Sequence, residues 1–428
     1  MEKQRSVVLP RNMVLPFVLI TACFALWGFA NDITNPMVKA FSRILMMSNF
    51  EGSLVQFAFY GGYFAMAFPA ALFIKRYTYK AGILMGLGLY AAGALLFIPA
   101  SMSMIFWPFL LAYFVLTCGL SFLETSANPY ILSMGPQETA TRRLNFAQAF
   151  NPMGSLLGMF TAQQFILARL NPATAAERAV MDPETLSAVT ASDLIIIRNP
   201  YVFIALVILV VLVVIAMARL PRNEDQDHDI HFMVTVRRLL KHKRYYEGVI
   251  AQFFYVGVQI MVWTFIIHYA VNELGLSETQ AQGYNIVAMV IFVTSRFVMT
   301  YLLKYISPGR LLMVLAIGGM TSTLGAIFLQ GMAGLYALVA ISACMSLMFP
   351  TIYGIALQGM GGDAKIGAAG LIMAILGGSV LTPLMGSVID LGTVAGFSAT
   401  RASFFIPFFC FVIITIYGYR AYTIHSRA

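Results

Sequence analysis

The stretch Thr117-Cys118-Gly119-Leu120-Ser121-Phe122-Leu123-Glu124-Thr125-Ser126-Ala127-Asn128-Pro129-Tyr130 lies in a long apolar segment and carries one carboxylate, that of Glu124. Burying an ionisable side chain deep in a lipid-spanning helix is costly, so such a residue generally faces a cavity or a partner and marks a substrate or proton path. The stretch therefore predicts a membrane helix with a functional acid. The alternative is a protonated carboxyl group that hydrogen-bonds a neighbouring Ser or Asn and serves helix packing.

The composition of the chain indicates an integral membrane protein. Of its 428 residues, 60% are hydrophobic and 11% are charged, whereas soluble domains have about 25% charged residues. The formal charge of +9 and the pI near 9.4 do not indicate a nucleic-acid partner, because the basic residues lie between apolar segments and form no long tract. The expected partner of the surface is the lipid bilayer.

Twelve apolar segments are long enough to cross a bilayer, since about 20 helical residues span roughly 30 Å of hydrocarbon. They lie at approximately 14–40, 52–74, 82–101, 105–133, 141–169, 200–220, 247–271, 283–305, 310–329, 333–356, 364–389 and 402–422. Lys and Arg are concentrated in the loops and tails of one side, which the positive-inside rule makes cytoplasmic. We expect a multi-pass protein of a bacterial inner membrane with both termini cytoplasmic.

Two stretches outside the spans organise the chain. Residues 221–246 end in basic residues and are predicted to form a cytoplasmic linker with an interfacial basic helix, between six-helix halves at 1–220 and 247–428. Residues 171–198 are predicted to form a partly helical outer loop. Six plus six spans about a central linker is the layout of the major facilitator superfamily, whose halves rock about a midplane site. The predicted fold class is an all-α membrane protein of this architecture.

Internal symmetry agrees with two related halves. The fourth span carries Asn128-Pro129-Tyr130 and the tenth carries Phe349-Pro350-Thr351-Ile352-Tyr353, so both halves are predicted to have a proline-broken fourth helix. The fifth and eleventh spans are both rich in glycine, which lets helices cross closely.

Two acids, Asp32 and Glu124, lie well inside the predicted spans, and both are in the N-terminal half. A low dielectric disfavours the ionised form of a carboxyl group, which enables it to bind and release a proton near neutral pH. Both are therefore candidates for coupling transport to protons. For Asp32 the alternative is that Asn31-Asp32-Ile33-Thr34-Asn35-Pro36 caps a helix break with its Asx side chains.

Amides in the fifth span are candidate sugar ligands. Asn145, Gln148 and Asn151 are spaced at i, i+3 and i+6, which places them along one side of a helix over two turns. Sugars need neutral groups of this kind as partners for adjacent hydroxyls. The alternative is hydrogen bonding between helices, for which membrane proteins also use Asn and Gln.

The C-terminal half offers aromatic candidates instead. Aromatic faces stack on the apolar side of a pyranose while amides bind its edge. The candidates are Gln252, Gln259 and Trp263 of the seventh span, Phe292 of the eighth and Tyr353 of the tenth. Each aromatic residue taken singly could instead serve packing or the interfacial belt.

Arg296 is the basic residue predicted to lie inside a span. It either extends its charge to the cytoplasmic interface or holds an inner gate by bonding carbonyls at helix C-termini. The five histidines are scattered, and no phosphate-binding loop or dinucleotide fingerprint is present in the sequence. We therefore expect no metal and no cofactor, with protons as the coupling ion.

Several runs of the sequence resemble one branch of the superfamily. These runs are Leu26-Trp27-Gly28-Phe29-Ala30-Asn31, Phe122-Leu123-Glu124-Thr125-Ser126-Ala127-Asn128-Pro129-Tyr130, Arg143-Leu144-Asn145-Phe146-Ala147-Gln148-Ala149-Phe150-Asn151 and Phe349-Pro350-Thr351-Ile352-Tyr353. They are similar to the L-fucose/proton symporter family, in the fucose–galactose–glucose branch, and the resemblance extends along nearly the whole chain.

The resemblance implies proton-coupled uptake of a monosaccharide. It makes Glu124 the proton carrier near the sugar, with the span 1 acid Asp32 as a second acid in the site. Asn31, Asn35 and Asn128 are further predicted sugar ligands. The resemblance gives Gln148 and Asn151 ligand roles, and lines the C-terminal side with Trp263, Phe292 and Tyr353. The family's Asn-x-x-Asp order in span 1 appears here as Asp32-x-x-Asn35, with acid and amide exchanged over one helical turn.

The sequence thus predicts a secondary transporter that imports L-fucose or a related monosaccharide with protons, by alternating access and as a monomer. A glucose or galactose carrier of the same branch is the alternative. A membrane sugar sensor or enzyme is a distant one, because the sequence shows neither a soluble signalling domain nor a nucleophile or metal cluster at the membrane face.

Overall fold

The computed structural model describes residues 8–34, 37–47, 49–221, 232–394 and 396–424. Nearly all of them are helical, and eleven helical segments of this part of the chain are long and apolar enough to cross a membrane. The all-α, multi-pass architecture predicted from the sequence is confirmed.

The first six spans are built from these helices, in chain order. They are span 1 at Val14–Thr34, span 2 at Asn49–Arg76, span 3 at Tyr79–Leu95 continued by Phe97–Ser103, span 4 at Trp107–Ser133, span 5 at Ala140–Gln148 and Phe150–Thr161 continued by Ala162–Leu167, and span 6 at Pro183–Met217. Short helices at Met37–Ile44 and Ala175–Ala179 follow spans 1 and 5, and single turns precede spans 1 and 5 at Arg11–Met13 and Gln137–Thr139.

The last six spans follow a helix at Phe232–Lys241. They are span 7 at Lys243–Leu274, span 8 at Glu278–Leu302, span 9 at Pro308–Phe328, span 10 at Met332–Met345 and Met348–Leu357, span 11 at Ala364–Met373 and Leu376–Ile389, and span 12 at Ala399–Ser403 and Phe405–Thr423. A turn at Gly361–Asp363 precedes span 11, and a two-stranded antiparallel hairpin, Thr393–Val394 with Phe397–Ser398, joins spans 11 and 12.

Span 5 is the span that does not qualify as one long apolar helix. Its helix is interrupted at Ala149, three residues before Pro152. A proline has no N–H for the carbonyl four residues earlier and its ring crowds that carbonyl, so the ladder is lost at Gln148. The interruption corrects the prediction that Asn145, Gln148 and Asn151 share one continuous helical face.

The predicted proline breaks have different outcomes in the two halves. Span 10 is interrupted at Ser346 and Leu347, just before Pro350, which confirms the prediction there. Span 4 is a continuous helix from Trp107 to Ser133 with Pro129 inside it, so the predicted break is wrong. The carbonyl that Pro129 leaves without a donor is that of Thr125, and the turn continues around it.

The N-terminal part of span 6 begins earlier than predicted. Its helix starts at Pro183 rather than near 200, because Asp182 caps it by accepting a hydrogen bond from the Thr185 N–H at 2.9 Å and proline suits the first helical position. A buried ion pair joins Arg178, on the preceding short helix, to Asp193 on this extension. The predicted outer loop is therefore largely helical.

The linker between the halves contains the predicted basic helix. Residues 222–231 lie outside the described residues, and the helix Phe232–Lys241 follows. Thr235 and Leu239 are its buried residues, whereas Arg238 forms a two-point ion pair with Asp363, with both distances 2.5 Å. Span 7 then begins at Lys243, four residues before the predicted start.

The chain folds into two compact units. The N-terminal unit comprises Arg11–Tyr130 and Phe150–Ile230, and the C-terminal unit comprises Met1–Pro10, Ile131–Ala149 and His231–Ala428. The end of span 4 and the first piece of span 5 thus pack with the C-terminal spans. The sequence halves at 1–220 and 247–428, joined by the linker 221–246, stay a prediction.

Glycines bring the first and fifth spans of each half close together. A side chain on Gly154 of span 5 would overlap the backbone of Ala25 in span 1, and one on Gly377 of span 11 would overlap the backbone of Phe253 in span 7. Only glycine permits helices to approach so closely. The close crossing that the glycine-rich sequence predicted is confirmed in both units.

Candidate functional site

Glu124 lies near the middle of the most buried span of the N-terminal unit. Its side chain is 4% exposed. Oε1 accepts a hydrogen bond from the Tyr63 hydroxyl of span 2 at 3.4 Å, and Oε2 has no hydrogen-bond partner in the described part of the chain. A buried carboxylate with one long hydrogen bond is poorly compensated, so the neutral, protonated acid is the form that this environment favours.

Other polar side chains near Glu124 bond backbone carbonyls of the helices and not the Glu124 carboxyl group. Ser121 donates to the Tyr63 carbonyl at 3.0 Å, which ties span 4 to span 2 at the tyrosine that contacts the acid. Asn128 is fully buried, and its amide donates to the Glu124 carbonyl at 3.0 Å. The predicted ligand Asn128 therefore uses an N–H on its own helix, directly before Pro129.

The second predicted acid, Asp32, lies close to the end of span 1 and is partly buried. It interacts electrostatically with Tyr60 of span 2, which is one helical turn from Tyr63. Span 2 thus presents two tyrosines, one toward each acid, on the same helix face. Asn31 has a buried side-chain oxygen without a hydrogen-bond partner among the described residues, and Asn35 lies outside them.

Tyr63 is the functional candidate that sequence reasoning missed. The run Phe59-Tyr60-Gly61-Gly62-Tyr63 places two phenols one turn apart in the middle of span 2. Tyrosines generally lie at membrane interfaces, where the hydroxyl reaches water. A tyrosine far from both helix ends needs a buried partner, and that signal could have identified it.

Asn151 belongs to the second piece of span 5, in the N-terminal unit. Its amide donates to the Phe24 carbonyl of span 1 at 3.3 Å, and the side chain stays partly exposed. Gly28 makes this approach possible, because a side chain at that position would overlap the Asn151 carbonyl. One Asn151 N–H therefore ties span 5 to span 1.

The aromatic candidates of the C-terminal unit form two pairs. Trp263 and Phe292 meet edge to face, with ring centroids 4.9 Å apart and an interplanar angle of 79°, and the Trp263 indole N–H donates to the Ser342 hydroxyl at 3.3 Å. Phe349 and Tyr353 stack with centroids 6.4 Å apart. Trp263 is partly exposed, whereas Phe292 and Tyr353 are buried.

The amide candidates of the C-terminal unit differ in burial and in the hydrogen bonds that they form. Asn145 is fully buried and donates to the Thr141 carbonyl at 2.9 Å and to the Thr351 hydroxyl of span 10 at 3.0 Å. Both its N–H groups are thus used within the protein. Gln148 is 4% exposed, and Gln259 is partly buried.

Gln252 of span 7 is the opposite case. It is fully buried, and neither its amide oxygen nor its amide nitrogen has a hydrogen-bond partner among the described residues. Leaving a buried amide unpaired costs about 1–3 kcal/mol for each group. A side chain held in this way is suited to a ligand or an internal water that supplies the missing bonds.

Arg296 is buried in span 8 and does not reach the interface, because it is only 3% exposed. It donates from Nη1 to the Gln148 carbonyl at 2.8 Å and from Nε to the Ser346 carbonyl. Its guanidinium carbon lies 4.6 Å from the centre of the Phe292 ring. Of the two roles weighed from the sequence, the contacts fit the one that bonds carbonyls at helix ends.

The comparisons with known proteins identify the family of this chain. The family model described as Major Facilitator Superfamily matches residues 19–383. The chain belongs to the Major Facilitator Superfamily.

Relatives within the superfamily cover nearly the whole chain. It is 52% identical to the L-fucose-proton symporter of Haemophilus influenzae, over 97% of this chain and 99% of that protein. It is 36% identical to the L-fucose-proton symporter of Escherichia coli, over 95% and 93% of the two chains, and 28% identical to a glucose/galactose transporter of Brucella abortus, over 95% and 94%.

A solved structure of the superfamily has the same fold. The crystal structure of a Major Facilitator Superfamily transporter, FucP, in the outward conformation aligns with a TM-score of 0.87 at 35% identity, covering 96% of this chain and 99% of that one. The predicted superfamily architecture and the predicted resemblance to its L-fucose/proton symporter family are confirmed by these matches.

Proposed function

We propose that this protein imports L-fucose, or a closely related monosaccharide, together with protons across a bacterial inner membrane by alternating access. The observation that carries the proposal is Glu124, a buried carboxyl group with one oxygen unpaired in the described part of the chain. The relatives at 52% and 36% identity, both L-fucose-proton symporters, support the substrate and the coupling ion.

Glu124 is the proton site of the proposal. Protonation removes the cost of burying a bare carboxylate, so a protein that must occlude this group does so in its neutral form. A ligand that binds one conformation better than another shifts the population toward it. Proton and sugar move together because the loaded, neutral carrier is the one that changes conformation most easily.

Asp32 is proposed as a second acid of the same pathway. Tyr60 and Tyr63, on one face of span 2, interact with Asp32 and Glu124 respectively. A shared tyrosine face gives the two acids a hydroxyl-lined route for proton exchange. The exchanged order Asp32-x-x-Asn35 keeps the acid within one turn of the family position.

The sugar contacts are proposed to come from aromatic and amide groups. The partly exposed indole of Trp263, held edge to face by Phe292, provides a rigid surface for the apolar side of a pyranose. Gln252 has an unpaired donor and acceptor for hydroxyls. Gln148, Asn151, Gln259 and Tyr353 remain predicted ligands. Asn145 remains one through its side-chain oxygen, which has no hydrogen-bond partner among the described residues, whereas its N–H groups bond Thr141 and Thr351.

The carrier is proposed to act as a monomer, without a cofactor, with both termini in the cytoplasm. Glucose or galactose import is the second candidate, which the 28% identical glucose/galactose transporters of Brucella abortus favour. The two candidates differ in the sugar hydroxyls that the amides must meet, and both share the proton site.

Uptake into proteoliposomes tests the proposal. Radiolabelled L-fucose is added outside vesicles with an imposed pH gradient, acidic outside, and unlabelled L-fucose, D-galactose and D-glucose are compared as competitors. We expect accumulation that collapses with a protonophore and that L-fucose inhibits best. If L-fucose neither enters the vesicles nor competes with the labelled sugar, the substrate assignment is wrong. If the rate and extent of uptake do not depend on the pH gradient, the assignment of protons as the coupling ion is wrong.

A further inference from the structure

The two carbonyls that Arg296 binds are the ones that prolines leave without a helical donor. In a helix each N–H bonds the carbonyl four residues earlier, and proline has no N–H. Pro152 therefore supplies no helical donor to the carbonyl of Gln148, and Pro350 supplies none to that of Ser346. Arg296 donates to both of them, to Gln148 at 2.8 Å and to Ser346.

These two carbonyls mark the interruptions of spans 5 and 10. The first piece of span 5 ends at Gln148, and the first piece of span 10 ends at Met345, with Ser346 as its cap. Carbonyls at a helix C-terminus carry partial negative charge and attract cations. One guanidinium thus acts as the C-terminal cap of two interrupted helices, which a lysine ammonium could not bridge with the same fixed geometry.

The guanidinium of Arg296 also lies close to an aromatic ring. Phe292 lies one turn before Arg296, with its ring centroid 4.6 Å from the guanidinium carbon, a distance at which a cation is attracted to the ring. Phe292 in turn meets Trp263 edge to face. The aromatic pair is therefore fixed from one side by the charge that caps the two helices.

The contacts close into a circuit within the C-terminal unit. Trp263 donates to Ser342, in the helical piece of span 10 whose cap residue, Ser346, has the carbonyl that Arg296 binds. Tyr255 of span 7 donates to the neighbouring Met345 carbonyl at 3.1 Å. Among the described residues Arg296 forms no ion pair with a carboxylate, so carbonyls and a ring are what compensate its charge.

We propose that Arg296 is a positioning residue that couples the Trp263–Phe292 pair to the proline breaks of spans 5 and 10. The Trp263–Phe292 pair keeps its orientation only while Arg296 bonds both carbonyls. A ligand that reorients the pair therefore weakens or strengthens the hydrogen bonds of Arg296 to the two interrupted helices. This inference rests on the proposed function, because it takes Trp263 and Phe292 as the sugar-contacting pair.

The experiment follows the pair and the breaks separately, without sugar. Trp27→Phe and Trp107→Phe leave Trp263 as the fluorescent residue, whose emission and acrylamide quenching report the pair. Ala149→Cys, in a background in which Cys23, Cys118, Cys344 and Cys410 are replaced, reports the break of span 5 by its rate of maleimide labelling. Arg310→Lys is the matched control, because Arg310 is exposed and its guanidinium carbon lies 6.0 Å from the centre of the Tyr422 ring.

Arg296→Lys is expected to change both signals. Losing one hydrogen bond to a charged donor corresponds to a change of about tenfold or more in the opening equilibrium, so labelling should quicken by about that factor while quenching of Trp263 increases. Arg310→Lys should change neither. Phe292→Leu should increase quenching of Trp263 and also quicken labelling, because the cation loses the ring that holds it.

Restoring the missing N–H groups provides the second arm. In a Pro152→Ala, Pro350→Ala variant the two carbonyls regain helical donors, so adding Arg296→Lys should quicken labelling far less than it does in the parent. An equal effect in both backgrounds, or a change in only one of the two signals with Arg296→Lys, overturns the proposal.

Sugar is added last, as a separate readout. L-fucose should slow or quicken labelling in the parent and lose that effect in Arg296→Lys. If L-fucose fails to bind the parent protein at all, the proposed function fails, whereas the sugar-free signals still decide the coupling between the pair and the breaks.

Discussion

Replacing Glu124 by Gln gives the sharpest test of the proton site. The amide keeps the size of the carboxyl group and can still accept the Tyr63 hydrogen bond, but it cannot be ionised. In the parent, the ionised form would have one hydrogen bond at 3.4 Å, longer than the usual range of about 2.5–3.0 Å for O–H···O. Such a bond falls short of the cost of a charge at the bilayer centre, about 2.5–3.5 kcal/mol on insertion scales.

The magnitude of the transport effect follows from the gradient. With one proton per sugar, a pH difference of one unit is worth about 1.4 kcal/mol and supports about tenfold accumulation of sugar. In Glu124→Gln we expect that ratio to fall to about one, because the permanently neutral side chain carries no proton through the cycle. Exchange of labelled for unlabelled sugar at equal pH should persist, since the neutral form is the one that changes conformation.

The assay is uptake into proteoliposomes at matched protein density, with counterflow measured on the same preparation. Glu138→Gln is the matched control, because Glu138 is exposed and loses a carboxylate in the same way; it should retain gradient-driven accumulation. Accumulation by Glu124→Gln equal to that of the parent would refute the assignment of Glu124 as the proton site.

Three further outcomes are expected. Asn145→Ala should lower the maximal transport rate more than it changes the half-saturating sugar concentration, because Asn145 bonds Thr351 and uses both N–H groups within the protein; a change in half-saturation alone would contradict this. Asp193→Asn should lower thermal stability by about 3–5 kcal/mol, since it leaves the buried Arg178 without its ion pair, as followed by the melting of the purified protein. Gly154→Ala should impair folded yield in detergent, whereas Gly61→Ala, which has no atom within 4 Å of the added methyl group, should not; equal yields would contradict the close crossing of spans 1 and 5.

The contrast between spans 4 and 10 shows how far a proline can be interpreted from sequence. Pro350 interrupts its helix and Pro129 does not, although both follow a long apolar run. The lost donor and the crowded carbonyl are local effects and equal in both. Whether the helix is interrupted depends on which group replaces the missing N–H donor. At the Ser346 carbonyl the replacement donor is the guanidinium of Arg296, a residue far away in the chain.

The amides of span 5 illustrate the same limit. Their spacing predicted one continuous polar face, but the helix is interrupted at Ala149, and the three side chains form different hydrogen bonds. Asn145 binds Thr351, 206 residues along the chain, and Asn151 binds Phe24, 127 residues away. Nothing in the local pattern distinguishes an amide used for packing from one left for a ligand.

The amino-acid sequence by itself determined the twelve apolar segments, the superfamily layout and the depth of Glu124, because hydrophobic length and the rarity of buried charge are properties of each segment alone. Only the tertiary structure decided that Glu124 meets Tyr63, that Gln252 has no partner among the described residues and that Arg296 caps two helices. Many hydrogen bonds in a membrane interior join segments that lie far apart in the chain. A segment's own residues state which groups need partners, and the packing of the other segments determines which partners they find.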